Sequence, residues 1–363
     1  ASVEPPKVRV LLGRKRGEGR LRIATQSWAI AGGQAYARRG ERAVDVQVEA
    51  GTHGIRLGGE ETHAQDLRVH VAREFELEGT RYAGDLLLHQ RDGRIRFVNE
   101  LDMETYVAGV IPNEMAPGAA PAAYHAQAVA ARTYAWIRVS AANRAAKLFD
   151  VYDDQGSQVY TGLDPRYEVS YDAVRKYTAA TIGVVLTWQN QPFPAYYSST
   201  CGGHTTDAAT SKLDPDGADV VLRGVKCDFC RSSPRFAWTE EVSEADIVRG
   251  MKARRVPIVA PVHGIRVSKM GAGGWAAEVE LLYGPGRKSR KIPGTEFRSA
   301  LRLDSHFIHG IERQGSRWIF RGRGWGHGVG MCQWGALEMA KKGSTASEIL
   351  SWYYPGASFV RVY

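Results

Sequence analysis

The sequence predicts an α+β protein with a β-rich N-terminal portion, a long central helix and a mixed C-terminal portion. Glycine supplies 40 of the 363 residues, about 11% against the roughly 7% usual in globular proteins, which favours a turn-rich and strand-rich chain. A segment of mostly alanine after Pro121 favours one long helix in the middle of the chain. With 44% apolar and 24% charged residues, the chain has the material for two or three packed portions.

The first hundred residues alternate short β-type runs with turns. Runs such as Val8–Leu12, Leu21–Ala24 and Arg94–Val98 are short and rich in apolar residues, and Asp92-Gly93 is a hairpin signal. We therefore expect residues 1–100 to form the β-rich portion.

The character of the sequence changes at Leu101, where a central portion begins that we place at residues 101–235. Pro112 and Pro117 mark a loop, and Pro121 then opens an alanine-rich segment that runs to about Ala146. Proline suits the first turn of a helix, and alanine is the strongest helix former. The sequence thus predicts a long helix directly behind the loop.

Alternating glycine marks the C-terminal portion, residues 236–363. In the segment Arg321–Met331, here called the glycine ribbon, every even position is glycine and the odd positions carry larger side chains. In an extended strand this period of two places a bare face opposite a functional face, and a bare face lets a backbone or a sugar ring approach closely. We expect the ribbon to return to the cleft that the central portion forms.

The net charge is +9, from 48 Lys and Arg and 39 Asp and Glu, and it is spread along the chain. Such a surface suits a polyanion such as nucleic acid, anionic lipid or an anionic cell-wall polymer, and a merely solvated basic surface is the alternative. The sequence has no C2H2 zinc-finger spacing, RNP-like strand or basic heptads, so nucleic acid is not an expected partner. The longest uncharged stretch, Met115–Ala131, is broken by prolines, and no transmembrane segment is predicted.

The rarest strings of the sequence occur in a fixed order: Val110-Ile-Pro-Asn-Glu-Met115, Ala126-Gln-Ala-Val-Ala-Ala-Arg-Thr-Tyr134, Gly324-Trp-Gly-His-Gly-Val-Gly-Met331, Gln333-Trp-Gly-Ala336 and Tyr353-Tyr-Pro-Gly356. Together they resemble the SpoIID family, over a range from about Val8 to the C-terminus. The resemblance implies an exported cell-wall protein of sporulating or vegetative cells. It is either a lytic transglycosylase that cuts peptidoglycan glycan strands or an enhancer of an N-acetylmuramoyl-L-alanine amidase.

Glu114 matches the catalytic glutamate of that family. Its neighbours Val110, Ile111 and Met115 are apolar, and partial desolvation favours the protonated form that a general acid needs. A lytic transglycosylase needs one carboxyl only, because the substrate's own N-acetylmuramyl 6-hydroxyl attacks the anomeric carbon and closes a 1,6-anhydro ring. Glu104 is a second carboxylate whose polar phase favours the surface. Without the resemblance, a solvated or helix-capping Glu114 is the simpler interpretation.

Arg132 lies among the alanines of the predicted helix, where a guanidinium needs a partner. It can orient Glu114 or contact the substrate, and the alternative is an Arg that snorkels from the helix edge. The other candidates for substrate contact are polar or aromatic side chains in or near the matching strings: Gln127, Tyr134, Tyr196, Ser198, Ser199, Trp325, His327 and Gln333. A packing role is the alternative for these residues.

Two closely spaced pairs, Cys201-Gly-Gly-His204 and Cys227-Asp-Phe-Cys230, point to a metal site. These four side chains suit one tetrahedral zinc, which is structural because four protein ligands leave no open position. Catalysis therefore needs no cofactor. One or two disulfides are the alternative in an exported protein. Cys332 stands where the family usually has serine after Gly-Met, and we expect it to be a small buried thiol.

Overall fold

A computed structural model describes residues 4–14, 16–115, 117–163 and 175–363. Helix makes up 23% of the structure and strand 38%, so the predicted α+β class is confirmed. The chain forms two compact units, the first from Ala1–Gly118, Gln127–Val185 and Val360–Tyr363, and the second from Ala119–Ala126 and Leu186–Phe359. The boundary predicted at residue 235 coincides with no limit of these units. Among the helices in the described part of the chain, none combines the length and apolar composition that a membrane span requires.

The first unit contains the β-rich N-terminal portion, which is confirmed. Its strands are β1 (Lys7–Leu12), β2 (Gly19–Ile23), β3 (Trp28–Gly32), β4 (Tyr36–Gly40), β5 (Val44–Ala50), β6 (Ile55–Leu57), β7 (Glu60–Glu61), β8 (Asp66–Val71), β9 (Glu74–Leu77), β10 (Thr80–Ala83), β11 (Asp85–Arg91), β12 (Arg94–Asp102) and β13 (Val151–Tyr152). They form two sheets, with strand orders β13-β1-β12-β11-β8-β3-β4 and β10-β9-β2-β5-β6-β7. All neighbours described in these sheets are antiparallel except β1 and β13.

Alternation of apolar and polar residues explains why these strands bury one face. In β8, Leu67, Val69 and Val71 are buried while the residues between them are exposed. Successive side chains of a strand point to opposite faces of the sheet, so a period of two places the apolar set in the core. The β11 and β12 pairing, with Leu88 opposite Phe97, adds two fully buried side chains to that core.

Two helices follow β12 in the chain, α1 (Met103–Glu114) and α2 (Pro121–Arg144). The carboxylate of Asp102 accepts the Thr105 N–H at 3.0 Å and caps α1. Pro121 occupies the first position of α2, as predicted for the long helix. Pro112, however, lies inside α1 and does not end it. The helix persists because its residues from 106 to 112 are all buried, and tertiary packing outweighs the loss of one backbone hydrogen bond.

The second unit has a mixed composition. Its strands are β14 (Val184–Trp188), β15 (Gln191–Pro192), β16 (Tyr197–Ser198), β17 (Ala237–Ser243), β18 (Val262–Met270), β19 (Ala276–Tyr283), β20 (Lys288–Pro293), β21 (Ile308–Gln314), β22 (Arg317–Arg323), β23 (Met331–Cys332) and β24 (Ser358–Arg361), of which β14 and β24 begin or end in the first unit. Its helices are α3 (Glu244–Ala253), α4 (Gly294–Leu301), α5 (Gln333–Lys341) and α6 (Ala346–Tyr353). Within it, β17-β22-β21 and β18-β19-β20 form antiparallel sheets, which share a core with α3 and α4 that includes Trp238, Ile247, Phe297 and Phe320.

The glycine ribbon is not the extended strand that its period of two predicted. Strand β22 ends at Arg323, and Gly324, Gly326, Gly328 and Gly330 then have φ of +77°, +114°, +76° and +71°. The predicted close approach of another backbone is nevertheless present. A Cβ on Gly330 would lie 1.9 Å from the carbonyl oxygen of Tyr196. Glycine is needed here because only it combines positive φ with no side chain.

Candidate functional site

Glu114 is the last residue of α1 and its side chain is half-buried. Its Oε1 accepts the backbone N–H of Val159 at 3.1 Å. That bond favours the ionised carboxylate, whereas the partial negative charge at the C-terminal end of a helix disfavours it. The bond from Val159 and the end of α1 together fix the place of this carboxyl group in the first unit.

A buried polar network fixes the segment that carries Val159. The side chain of Gln158 accepts the Tyr106 hydroxyl at 3.0 Å and donates to the carbonyl of Ala131 at 3.3 Å. Burial raises the pKa of Tyr106 well above its ordinary value, so this hydroxyl stays protonated and remains a donor. The Val159 N–H thus reaches Glu114 from a segment tied to both α1 and α2.

Arg132 lies in α2, is completely buried and pairs with Glu104. Its Nε and Nη2 donate to the two carboxylate oxygens at 2.7 Å each. Glu104 also accepts the N–H of Gly183 at 3.2 Å and the hydroxyl of Tyr363 at 2.5 Å. The expected partner Glu114 is therefore replaced by Glu104, which is not the surface carboxylate that we predicted. A guanidinium without access to water requires a carboxylate at short range, and Glu104 supplies it.

Gln127 and Tyr134, the other candidates in α2, are buried. Gln127 has no exposed surface, and Tyr134 is 7% exposed with the guanidinium of Arg138 4.8 Å from its ring centroid. Neither side chain offers a large surface to a polymer.

In the second unit, the segment Tyr196–Thr200 lies against the glycine ribbon. Strands β16 and β23 pair in parallel, with Ser198 opposite Cys332. The carbonyl of Tyr196 accepts the Met331 N–H at 3.1 Å and the Tyr354 hydroxyl at 2.7 Å. The structure therefore brings the Tyr196–Thr200 segment, which holds three of the predicted substrate contacts, to the glycine ribbon, which lies more than a hundred residues later in the sequence.

Three of the predicted polar residues lie at this junction. Ser198 is 6% exposed, and its Oγ has no hydrogen-bond partner within the residues that the structure describes. Ser199 is half-buried, with its Oγ 3.4 Å from the hydroxyl of Thr200. Gln333 is 7% exposed and is the first residue of α5.

His327 supports the ribbon as a neutral side chain. Burial, with the nearby positive charge of Arg298, lowers its pKa to about 4. Its Nδ1 accepts the N–H of Val329 at 3.1 Å, which assigns the proton to Nε2, on the side of the Tyr197 carbonyl. Both ring nitrogens are thus used by the backbone, and the imidazole holds neighbouring segments in place.

Trp325 is the exposed aromatic residue of the ribbon, with 43% of its surface accessible. Its backbone pairs with Thr200 through two hydrogen bonds of 2.8 and 3.1 Å. The guanidinium of Arg235 lies 4.6 Å from the indole centroid and is itself paired with Asp304 at 3.0 Å. A flat apolar face beside a cation is therefore open to solvent.

Four cysteines meet in the interior of the second unit and form a candidate metal site. The sulfur atoms of Cys201, Cys227, Cys230 and Cys332 all lie within 4.8 Å of one another, and Cys201 and Cys230 are 3.6 Å apart. A tetrahedral zinc with Zn–S bonds of about 2.3 Å places its sulfur ligands about 3.8 Å apart. All four thiols are free and buried, and the group, here called the thiol cluster, could hold a metal ion.

The composition of the thiol cluster corrects the predicted ligand set, because Cys332 takes the place given to His204. The Nδ1 of His204 faces the carbonyl of Thr205 at 2.5 Å, outside the cluster. Cys332 Sγ accepts the N–H groups of Cys201 at 3.3 Å and Gly335 at 3.4 Å. The pairing of β16 with β23 brings Cys332 to the cluster. The spacing of residues along the chain does not show that these two strands pair. The sequence does contain one signal for the correct ligand set. It has four cysteines, and four thiolates complete a tetrahedral zinc site.

The thiols of the cluster differ in how readily they ionise. Hydrogen bonds from Cys201 and Cys230 hold the pKa of the Cys227 thiol well below its ordinary value, whereas burial raises the pKa of Cys332. The Tyr353 hydroxyl lies 3.1 Å from Cys227 Sγ. Such second-layer hydrogen bonds are typical of metal-bound thiolates.

The chain is similar in sequence to a known family and to known proteins. The family model for SpoIID, described as Stage II sporulation protein, matches residues 91–188, which include α1, α2 and the Gln158-Val159 segment. Stage II sporulation protein D of Bacillus subtilis is 32% identical over 271 residues, which cover 71% of this chain and 74% of that protein. An uncharacterized protein of Brachyspira hyodysenteriae is 32% identical over 321 residues, or 87% and 82% of the two chains.

A third relative, the amidase enhancer of Bacillus subtilis, is 28% identical over 293 residues, which cover 69% of this chain and 39% of that protein. The family model matches the part of the chain that contains the Glu114 helix, and the three relatives match most of the chain. The identity and coverage shared with the Bacillus sporulation protein establish that the chain belongs to the SpoIID family.

Proposed function

We propose that the protein is an exported lytic transglycosylase that cleaves the β-1,4 bond between N-acetylmuramic acid and N-acetylglucosamine in peptidoglycan. The observation that carries the proposal is the half-buried Glu114 carboxyl, held through Oε1 by the N–H of Val159 at the end of α1. Membership of a family whose relatives are named for sporulation and amidase enhancement fits a role at the cell wall.

Glu114 serves as acid and then as base. It first gives its carboxyl proton to the glycosidic oxygen, so that the bond from that oxygen to C1 of the muramyl residue breaks. The 6-hydroxyl of the same sugar then attacks C1, and the Glu114 carboxylate takes the hydroxyl proton. One C–O bond breaks, one forms, and the carboxyl ends in its starting state. No water is consumed, and the product carries a 1,6-anhydro ring.

The surroundings of Glu104 favour this single-carboxyl chemistry over hydrolysis. Hydrolytic glycosidases usually require a second carboxylate as base or nucleophile. Glu104 is engaged by the guanidinium of Arg132, by a backbone N–H and by the hydroxyl of Tyr363. It is therefore a structural anion, and Arg132 is a positioning residue for α1.

In this proposal the second unit binds the glycan. The open face of Trp325 stacks on a sugar ring, because the C–H face of a pyranose is apolar and the indole offers a large flat surface. The hydroxyl of Ser199 lies beside it in the adjoining segment and suits a sugar hydroxyl. Ser198, Tyr196, Gln333 and His327 support that surface from below.

We further propose that the thiol cluster holds one structural zinc ion. Zinc would supply the cross-link that four buried thiolates need, and four protein ligands leave no position for water. Cys201 directly follows the Tyr196–Thr200 segment, and Cys332 directly follows the glycine ribbon. The cluster therefore fixes the two segments that carry the glycan-binding candidates, and it takes no part in the chemistry.

The test is digestion of purified glycan strands, with mass spectrometry of the new ends. We expect 1,6-anhydro ends with the wild-type chain and none with Glu114→Gln. Glutamine keeps an oxygen for the Val159 N–H but has no acidic proton, so the variant still binds strands. Glu18→Gln, at an exposed position of the first unit, is the matched control. Reducing ends in place of anhydro ends would show hydrolysis and remove the proposal.

Enhancement of an amidase is the second candidate function, and the similarity to the amidase enhancer favours it. Under this function the protein binds glycan and stimulates an N-acetylmuramoyl-L-alanine amidase without cutting the strand. Glu114→Gln would then leave amidase stimulation unchanged, and the wild-type chain would produce no anhydro ends. The two functions therefore predict opposite results for the same variant.

A further inference from the structure

Four aromatic rings that are exposed or half-buried lie in neighbouring segments of the second unit, and three of them have a cation within 6 Å of the ring centroid. Trp352 is 45% exposed and packs edge-on against Phe229, with ring centroids 5.5 Å apart. Phe229 and Phe236 lie on the segment that carries Cys227 and Cys230, and both are half-buried. Trp325 follows, since the backbone of Phe236 accepts the N–H of Gly324 at 3.0 Å. We call this set, Trp352, Phe229, Phe236 and Trp325, the aromatic stripe.

The cations lie over the rings of the stripe. The nitrogen of Lys342 is 5.5 Å from the Phe229 centroid, and the Arg235 guanidinium is 4.6 Å from the Trp325 centroid. Phe236 lies between two arginines, Arg231 at 5.8 Å and Arg323 at 5.9 Å. These four contacts place positive charge beside three of the aromatic rings.

Charge on the stripe is not fully compensated within the chain. Arg235 is paired with Asp304 at 3.0 Å, and Arg231 is 3.9 Å from Asp228. Lys342 and Arg323 have no ion-pair partner within the described ranges. The stripe therefore combines flat apolar faces with positive charge left for an external partner.

These features match an anionic polysaccharide. A pyranose ring has an apolar face that covers an aromatic ring and hydroxyls that stay in water. Carboxylates along the polymer would meet the lysine and arginine side chains.

We propose that the aromatic stripe binds an anionic polysaccharide strand, with sugar rings stacked on its aromatic faces and carboxylates paired with its cations. The proposal deepens the proposed function and rests on it for the polymer's identity, a glycan strand with muramyl carboxylates. Trp325 alone contacts a single sugar. The full stripe extends the contact to several sugars, so affinity should rise with strand length.

The test measures binding of fluorescent glycan strands of different lengths to the full chain. We expect Trp352→Ala to weaken the binding of long strands about tenfold and to leave a disaccharide unaffected. Trp352→Phe should restore most of the affinity, because a ring remains. Lys342→Glu, which changes charge at an exposed position, should weaken the same strands most at low salt. The control is Leu282→Ala, at a 38% exposed position in β19.

Several results would overturn the assignment. If wild-type affinity does not rise with strand length, the stripe does not contact several sugars, and the proposal is wrong. Equal binding of neutral chitin strands would remove the requirement for carboxylates. Unchanged binding by both Trp352→Ala and Lys342→Glu would exclude the stripe altogether. Length-dependent binding without anhydro products would instead reject the transglycosylase proposal and leave the stripe intact.

Discussion

Arg132 and Glu104 form a two-point ion pair in which the arginine is completely buried and each nitrogen–oxygen distance is 2.7 Å. The pair joins α2 to the start of α1, the helix that ends at Glu114. Removing one partner of such a pair strands a charge in a medium of low polarity, which costs more than the intact pair contributes. The consequence for stability can be measured.

We expect Arg132→Met to lower the free energy of unfolding by about 3–5 kcal/mol. Urea denaturation followed by tryptophan fluorescence and circular dichroism measures this change. The double variant Arg132→Met with Glu104→Leu should recover a large part of the loss, because no charge is left unpaired. Arg38→Ala is the control, since its exposed ion pair with Glu60 should be worth less than about 1 kcal/mol. Equal stability of Arg132→Met and wild type would contradict the expectation.

Gln158 should act on turnover through the placement of Glu114. Gln158→Leu removes the acceptor of the Tyr106 hydroxyl and one anchor of the Val159 segment. We expect kcat for anhydro-end formation to fall about 10- to 100-fold with little change in KM, because sub-ångström placement of the acid matters to the reaction and not to binding. Tyr106→Phe removes the same bond from the other side and should have a smaller effect. A rise in KM at constant kcat would be inconsistent with this role.

Gly330 should tolerate no side chain. Alanine there would meet the Tyr196 carbonyl 1.9 Å from its Cβ, at a φ of +71°, and we expect a loss of about 3 kcal/mol or more in unfolding free energy. Gly343→Ala separates the cost of a positive φ from the cost of a steric clash, because Gly343 has φ +92° but open space around it. Its cost should stay near 1 kcal/mol. Equal costs at the two positions would mean that the clash is relieved by movement of the ribbon.

Metal analysis should find one zinc ion per chain, bound through sulfur alone. Cys332→Ser should lose the metal, and His204→Ala should keep it, because His204 lies outside the thiol cluster. Cobalt substitution provides a spectroscopic check through the intense thiolate charge-transfer absorption of a four-sulfur site. Chelation should lower the melting temperature, since metal binding contributes to folding. Retention of metal by Cys332→Ser together with its loss in His204→Ala would restore the ligand set that the spacing first indicated.

Acid should destabilise the second unit through His306. This side chain is completely buried, its Nε2 lies 3.2 Å from the Ser211 hydroxyl, and burial lowers its pKa from 6.5 to about 3. Between those values the unfolded chain binds a proton that the folded chain does not. The stability contribution is therefore fully present above pH 6.5 and is lost as the pH falls towards 3, at about 1.4 kcal/mol per pH unit.

Unfolding free energies measured across this pH range test the expectation. His306→Gln, which cannot titrate, should flatten the dependence on pH, although it lowers stability at neutral pH. His53→Gln is a suitable control, because His53 is exposed. An identical pH dependence in His306→Gln and wild type would show that another group is responsible.

Local signals in the sequence predicted the individual helices and strands better than the contacts between them. The alternation in β8 and the proline at the start of α2 gave correct elements because both report nearest-neighbour physics. Pro112 was misleading, because burial on all sides carried α1 past it to Glu114. The glycine ribbon was expected to be extended, and positive φ at its glycines shows that close backbone approach had set the pattern.

Partners across long sequence separations were harder to predict. Glu104 was assigned to the surface because its counter-charge, Arg132, lies in the next helix, and the sequence does not give the angle between helices. His204 was preferred to Cys332 for the same reason, since the nearer residue is favoured when only spacing is considered. Gln158 and Val159 carry no chemical signature at all, because one acts through a buried amide and the other through its backbone.

The thiol cluster also orders events during biosynthesis. Cys201 and Cys332 are separated by 131 residues, so the fourth sulfur is present only once synthesis has passed residue 332. A nascent or truncated chain that ends before residue 332 presents three thiols and one vacant position, which binds metal less tightly and exchanges it more readily. If zinc binds there as proposed, tight binding requires synthesis to have passed residue 332, and withholding zinc would leave the segments around Cys201 and Cys332 without their cross-link.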